Sequence, residues 1–94
     1  MAEVSGVGPV LLKGAQSDAV LAALKRRNPE ARFTDRGSYV RVLCPGRCTL
    51  HRIDVEEDLG GPFRLPADLE PLLASFAGRF EVSSDEASWV DLPR

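Results

Sequence analysis

The side chains able to do chemistry in this sequence are few, and their spacing restricts them further. His51 is the sole histidine, and Cys44 and Cys48 are the only cysteines. Together they suggest a three-ligand zinc site with one open position. Strand alternation opposes it, because Cys48 and His51 stand three apart and point to opposite faces. The same facing problem separates a cysteine nucleophile from a histidine base. Gly6-Val7-Gly8 begins like a dinucleotide fingerprint, but Leu11 stands where the third glycine should fall and no strand precedes it. Phosphate-loop spacing is absent, and Glu56, Glu57 and Asp58 read as a solvated helix face. The expectation is a chain with no catalytic residues, no metal site and no cofactor.

The elements around these residues follow from periodicity and punctuation. Val7 to Leu12 is a short apolar run that reads as a buried strand. Ser17 and Asp18 offer an N-cap and a first-turn acid for a helix that buries Val20, Leu21 and Leu24. Lys25, Arg26 and Arg27 suit its negative end, and Asn28-Pro29 closes it. Arg32 to Thr34, a turn at Asp35 to Ser38 and a strand from Tyr39 to Cys44 follow. In that strand Val40, Val42 and Cys44 alternate with Tyr39, Arg41 and Leu43, so one face is apolar and the other mixed. Pro45-Gly46-Arg47 is a tight turn, and Cys48 to Ile53 is expected to return as the second arm of a hairpin. Asp54 looks like the cap of one or two helical turns that Gly60-Gly61-Pro62 stops. Leu69, Leu72, Leu73 and Phe76 have the spacing of a helical stripe, with Asp68 as cap and Gly78 as stop. Phe80 to Val82 and Trp89-Val90 flank a polar turn and make a last hairpin. The order predicts a single α+β domain, residues 1–94, with helices on antiparallel sheet and a flexible N-terminus over 1–6.

Bulk properties narrow the function. Ninety-four residues with 44% hydrophobic and 28% charged side chains make one small soluble domain. A net charge of −2 lacks the basic excess that binds phosphate backbones, so no nucleic acid is expected. The cations are mostly arginine, which suits pairing with carboxylates at interfaces, although a GC-rich genome produces the same bias. Glu3 and a broken apolar run near the start do not suit a signal peptide, and no apolar stretch is long enough to cross a membrane. Two cysteines do not make a disulfide framework, so a cytoplasmic protein is expected.

Four segments, in order, carry a resemblance. They are Val7-Gly8-Pro9-Val10, Tyr39-Val40-Arg41-Val42, Val55 through Phe63, and Leu69 through Gly78. Each alone is unspecific; together they resemble the regulatory or coupling proteins of soluble diiron monooxygenases. The likeness is nearest the toluene and alkene monooxygenase branch. Only six residues precede the Val-Gly-Pro segment, which suggests a short-tailed member. The resemblance implies a fold with helices packed in a corner against antiparallel β-sheets.

It also implies a partner, the hydroxylase component carrying the diiron centre, and indirectly a Rieske ferredoxin and a reductase. The chain would be a cofactor-free effector, not an enzyme, that modulates turnover, coupling and regioselectivity in aromatic or alkene oxidation. Docking residues implied in this way are Val7, Gly8, Pro9, Arg41, Gly60, Gly61, Pro62, Ser75 and Gly78. The glycines could equally serve positive φ at helix ends, and Phe63 and Phe76 read as core. The alternative is a free-standing α+β domain that binds a small molecule or peptide, with no monooxygenase partner. An electron-transfer subunit lacks the Cys and His ligands a cluster needs.

Overall fold

Two antiparallel sheets and two helices build residues 6–92, the part of the chain that the computed structural model describes. The N-terminus expected to be flexible lies outside the described residues except for Gly6. Strands β1 (Gly8–Leu12), β2 (Arg32–Asp35), β3 (Tyr39–Leu43) and β5 (Leu73–Ala77) form one sheet in the order β2-β3-β1-β5. Strands β4 (Arg47–His51), β6 (Arg79–Val82) and β7 (Glu86–Val90) form the other, in the order β4-β7-β6. Helix α1 spans Ala15–Arg27 and α2 spans Arg52–Leu59.

Helix α1 starts three residues earlier than expected, with Gly14 as its N-cap, so Ser17 lies buried in the first turn. Its inward face is Ala19, Val20, Ala23 and Leu24, and Leu21 packs at the margin. The basic residues of its last turn meet α2. Arg27 donates to Asp54 at 2.7 Å, and Arg26 pairs with Glu57 and with Asp58. Asp54 is therefore not the cap of α2 but a buried carboxylate in its first turn. Of the three acids expected on a solvated helix face, Glu57 and Asp58 reach across to α1, with Glu57 still largely exposed, while Glu56 stays with its own helix and bonds Arg52.

At the end of α1, the Asn28 side chain imitates a strand. Its amide donates to the Thr49 carbonyl at 2.8 Å, and its oxygen accepts from the Thr49 N–H at 3.0 Å. A third bond runs to the Leu24 carbonyl. The free edge of β4 is thus occupied, in place of the neighbour an edge strand lacks.

Two expectations are corrected. Strands β3 and β4 are not a hairpin: β3 pairs with β1 and β2, while β4 pairs with β7. The turn at Pro45–Gly46 carries the chain from one sheet to the other, just after Cys44 bridges back to Val7. The second correction concerns Leu69 to Phe76, which is not a helix. A 3-10 turn covers Glu70–Leu72, and β5 then pairs with β1. Leu69 is fully buried, but Phe76 is 44% exposed, so it is not core. It lies at the sheet rim against Phe80, which stacks on Trp89.

Gly78 is accordingly not a helix stop. It joins β5 of the first sheet to β6 of the second with φ +97°. A methyl group there would lie 2.7 Å from both the Val7 Cγ1 atom and the Val90 carbonyl oxygen. Only a residue without a side chain lets the chain cross at this point.

One core lies between the sheets and helices. Leu11, Val40 and Val42 enter it from the first sheet, Cys48, Leu50 and Trp89 from the second, and Val20, Leu24 and Val55 from the helices. Phe63, as expected, is fully buried among them.

Candidate functional site

The alternation read along β3 is observed. Val40 and Val42 are buried, Arg41 is exposed, and Tyr39 and Leu43 are half-buried on the same outer side. Residues directly opposed in a sheet share a face. The register Thr34↔Arg41, Arg41↔Val10 and Val10↔Ser75 therefore aligns four outward side chains across four strands. Between them lies a groove of about 340 Å³ lined by Val10, Tyr39, Arg41, Ala74 and Ser75. Arg41 and Ser75, proposed from distant parts of the sequence, meet in one site.

The other candidates fall elsewhere. Val7, Gly8 and Pro9 are buried, which makes them supports of the sheet and not its surface. Gly8 has φ +149°, and a methyl group on it would overlap the Val42 carbonyl. Its residue type is thus explained by strand packing. Gly60, Gly61 and Pro62 form a turn that leaves α2, with Gly60 in the left-handed region at φ 77°. Gly60 and Pro62 are exposed and Gly61 is half-buried.

The exit of that turn is held by Glu56. One carboxylate oxygen accepts the Phe63 N–H at 2.9 Å, and the other accepts from Arg52 at 2.7 Å. The Phe63 N–H, with help from Arg52, holds the Glu56 carboxyl below the usual carboxylate range. Phe63 then lines a second cavity of about 460 Å³ with Arg52, Glu56, Arg64, Leu65, Ala67, Ser84 and Asp85. Both of its arginines are already engaged, Arg52 with Glu56 and Asp85 and Arg64 with Asp68.

The residues weighed for chemistry are arranged as follows. Cys48 is buried while His51 is half-exposed on the other side of β4. Cys44 and Cys48 are buried free thiols, and burial pushes both up from the ordinary thiol range. Among the described residues no group of three His, Cys, Asp or Glu side chains converges as a metal site. Nor is any helix there long and apolar enough to cross a membrane.

Sequence reasoning missed Val10, Tyr39 and Ala74 as groove residues. Tyr39 was legible, since it shares the period of Arg41. Val10 and Ala74 enter only through the non-local pairing of β1 with β3 and β5.

The architecture, two helices packed against antiparallel sheets, is that of monooxygenase regulatory proteins. The chain belongs to the MmoB/DmpM family, whose model matches residues 5–90. It is 40% identical over 85 residues to the effector subunit of the alkene monooxygenase system of Xanthobacter autotrophicus strain Py2. That alignment covers 88% of this chain and 83% of the relative. In structure it is similar to a chain of a phenol hydroxylase–regulatory protein complex, with TM-score 0.82 and 21% identity. That match covers 89% of this chain and 95% of the other. A soluble methane monooxygenase regulatory protein B matches with TM-score 0.70 and 19% identity, over 98% of this chain and 69% of the other.

Proposed function

We propose that this chain is the effector subunit of a multicomponent diiron monooxygenase. It binds the hydroxylase component in the cytoplasm and changes its turnover, coupling and regioselectivity in hydrocarbon oxidation, contributing no catalytic group and no cofactor. A Rieske ferredoxin and a reductase supply electrons to the hydroxylase in the same system. The observation that carries this reading is the 40% identity, over most of both chains, to a relative named as an effector subunit.

The mechanism is thermodynamic. A protein of this kind acts by binding one conformation of its partner more tightly than another, and it shifts the equilibrium only by that difference in affinity. A rigid surface serves this purpose, because little ordering cost is then subtracted on docking. The groove around Arg41 and Ser75 lies on a four-stranded sheet whose inner face is packed into the core, which makes it such a surface. The exposed turn at Gly60–Pro62, held by Glu56, is a second point of contact.

Steady-state turnover by reconstituted hydroxylase, with and without this protein, tests the reading. Added protein should raise the rate, the product formed per reductant consumed, or both. Unchanged rate, coupling and product distribution at saturating protein would overturn it.

A further inference from the structure

Charge is sorted in this molecule in a way the net value of −2 conceals. Arg26, Arg27, Arg52, Arg64 and Arg79 each pair with a carboxylate of the same chain. Arg32, Arg36 and Arg41 have no ion-pair partner among the described residues. All three occupy outward positions of the β2–β3 ribbon: Arg32 opposes Leu43, Thr34 opposes Arg41, and the Arg36 N–H bonds to the Tyr39 carbonyl. On the same face stand Tyr39, Leu43, Val10, Leu12, Ser75 and Ala77, and no strand residue there carries a carboxylate. The only acid of the ribbon, Asp35, opposes inward-facing Val40 and is taken by Lys13 at 2.7 Å. The two helices pack mainly on each other and on β4, and Leu12, Arg32, Arg41 and Ser75 are exposed on this face.

An unpaired, exposed arginine is free to donate its N–H fork to a carboxylate, and apolar neighbours partly desolvate the pair that forms. Three of them beside an apolar strip define a partner surface that is acidic at one side and apolar at the other. We infer that the outer face of the four-stranded sheet is the hydroxylase-docking face, and that Arg32, Arg36 and Arg41 read an acidic patch on the hydroxylase. This inference rests on the effector reading given above. It extends the groove at Arg41 and Ser75 to the whole outer face and adds the chemistry of the partner surface.

The test is a binding titration, by surface-immobilised hydroxylase from the same organism, run alongside the turnover assay. Arg41→Glu should weaken binding about tenfold, the scale of a central interfacial arginine, and Arg32→Glu/Arg36→Glu/Arg41→Glu should weaken it further. Arg47→Glu is the control, since Arg47 also has no carboxylate partner among the described residues but lies on β4 of the other sheet. It should bind within about twofold of the parent. Wild-type affinity should fall as salt is raised from about 50 mM to about 500 mM, and that of the triple variant should fall less. Circular dichroism confirms the fold of each variant, and Arg41→Ala replaces any glutamate variant that fails to fold. Arginine variants that bind like the parent, while the parent still stimulates turnover, overturn this face but not the effector reading. Equal loss at Arg47 and Arg41 also overturns it, because the attraction is then diffuse. A parent protein that neither binds nor stimulates overturns both.

Discussion

Gly78→Ala is the substitution that tests the architecture most directly. The residue has φ +97°, where an alanine is strained by about 1–2 kcal/mol. The added methyl would also lie 2.7 Å from the Val90 carbonyl oxygen and from Val7 Cγ1, with Val7 itself packed in the core. Overpacking of a closed site adds about 1–3 kcal/mol. The expected loss is therefore about 2–5 kcal/mol, a large part of the stability of a small domain. In a chain of this length it should lower Tm by about 10 °C or more. The sole tryptophan, Trp89, is fully buried, so its emission reports unfolding in a urea titration. Gly60→Ala separates the two contributions. Gly60 also has positive φ, at +77°, but an added methyl there meets nothing within 4 Å. It should lose only the conformational part, about 1–2 kcal/mol. If Gly78→Ala costs less than about 1 kcal/mol, or no more than Gly60→Ala, the tight crossing between the sheets is refuted.

Three further outcomes follow from contacts described above. Phe63→Ala should cost about 3–5 kcal/mol as a fully buried aromatic, whereas half-exposed Phe76→Ala should cost about 1–2 kcal/mol; urea midpoints in the reverse order would place Phe76 in the core after all. Asn28→Ala should cost about 1–3 kcal/mol in the same titration, because it strips partners from Thr49 on the β4 edge. A loss within error would mean that water replaces the amide without penalty. The Asp54 carboxyl is held below its ordinary range by the hydrogen bond from Arg27. A folded-state pKa below the unfolded value adds stability that is present above the unfolded pKa and lost as pH falls through the folded one. Wild-type stability should thus decline below about pH 4, and Asp54→Asn should be less stable at neutral pH with a flatter acid limb. Parallel acid limbs would show that Arg27 does not stabilise the carboxylate.

What could be read from the residues alone was what local pattern decides. The α1 stripe, the alternation of β3, the Gly60 stop and the β6–β7 hairpin each depend on neighbours in sequence, and each stands where the pattern placed it. The misreadings were non-local. Leu69, Leu72, Leu73 and Phe76 match a helical period, but their segment is short, and Pro71 sits inside its first turn. Pairing with β1 turns Leu73–Ala77 into a strand although alanine and serine have no preference for one. Likewise, Tyr39–Cys44, a tight turn and Cys48–Ile53 look like a hairpin. Nothing local reveals that β7, some forty residues later, claims β4 instead. The candidate site suffered in the same way. Arg41 was legible from its strand and Ser75 was implied by the resemblance, but that they share one row with Val10 emerges only once the sheet order is known.

The two-residue period of β3 has an evolutionary consequence. Tyr39, Arg41 and Leu43 face outward while Val40 and Val42 fill the core, so one five-residue strand serves two independent demands. Substitutions at the odd-numbered positions can diverge freely as partners diverge, without a compensating change in the interior. A single-residue insertion or deletion in β3 is a different event, since it exchanges the two sets at one stroke. Sequences descended from a common ancestor should therefore vary in side chain on this strand but never in its length.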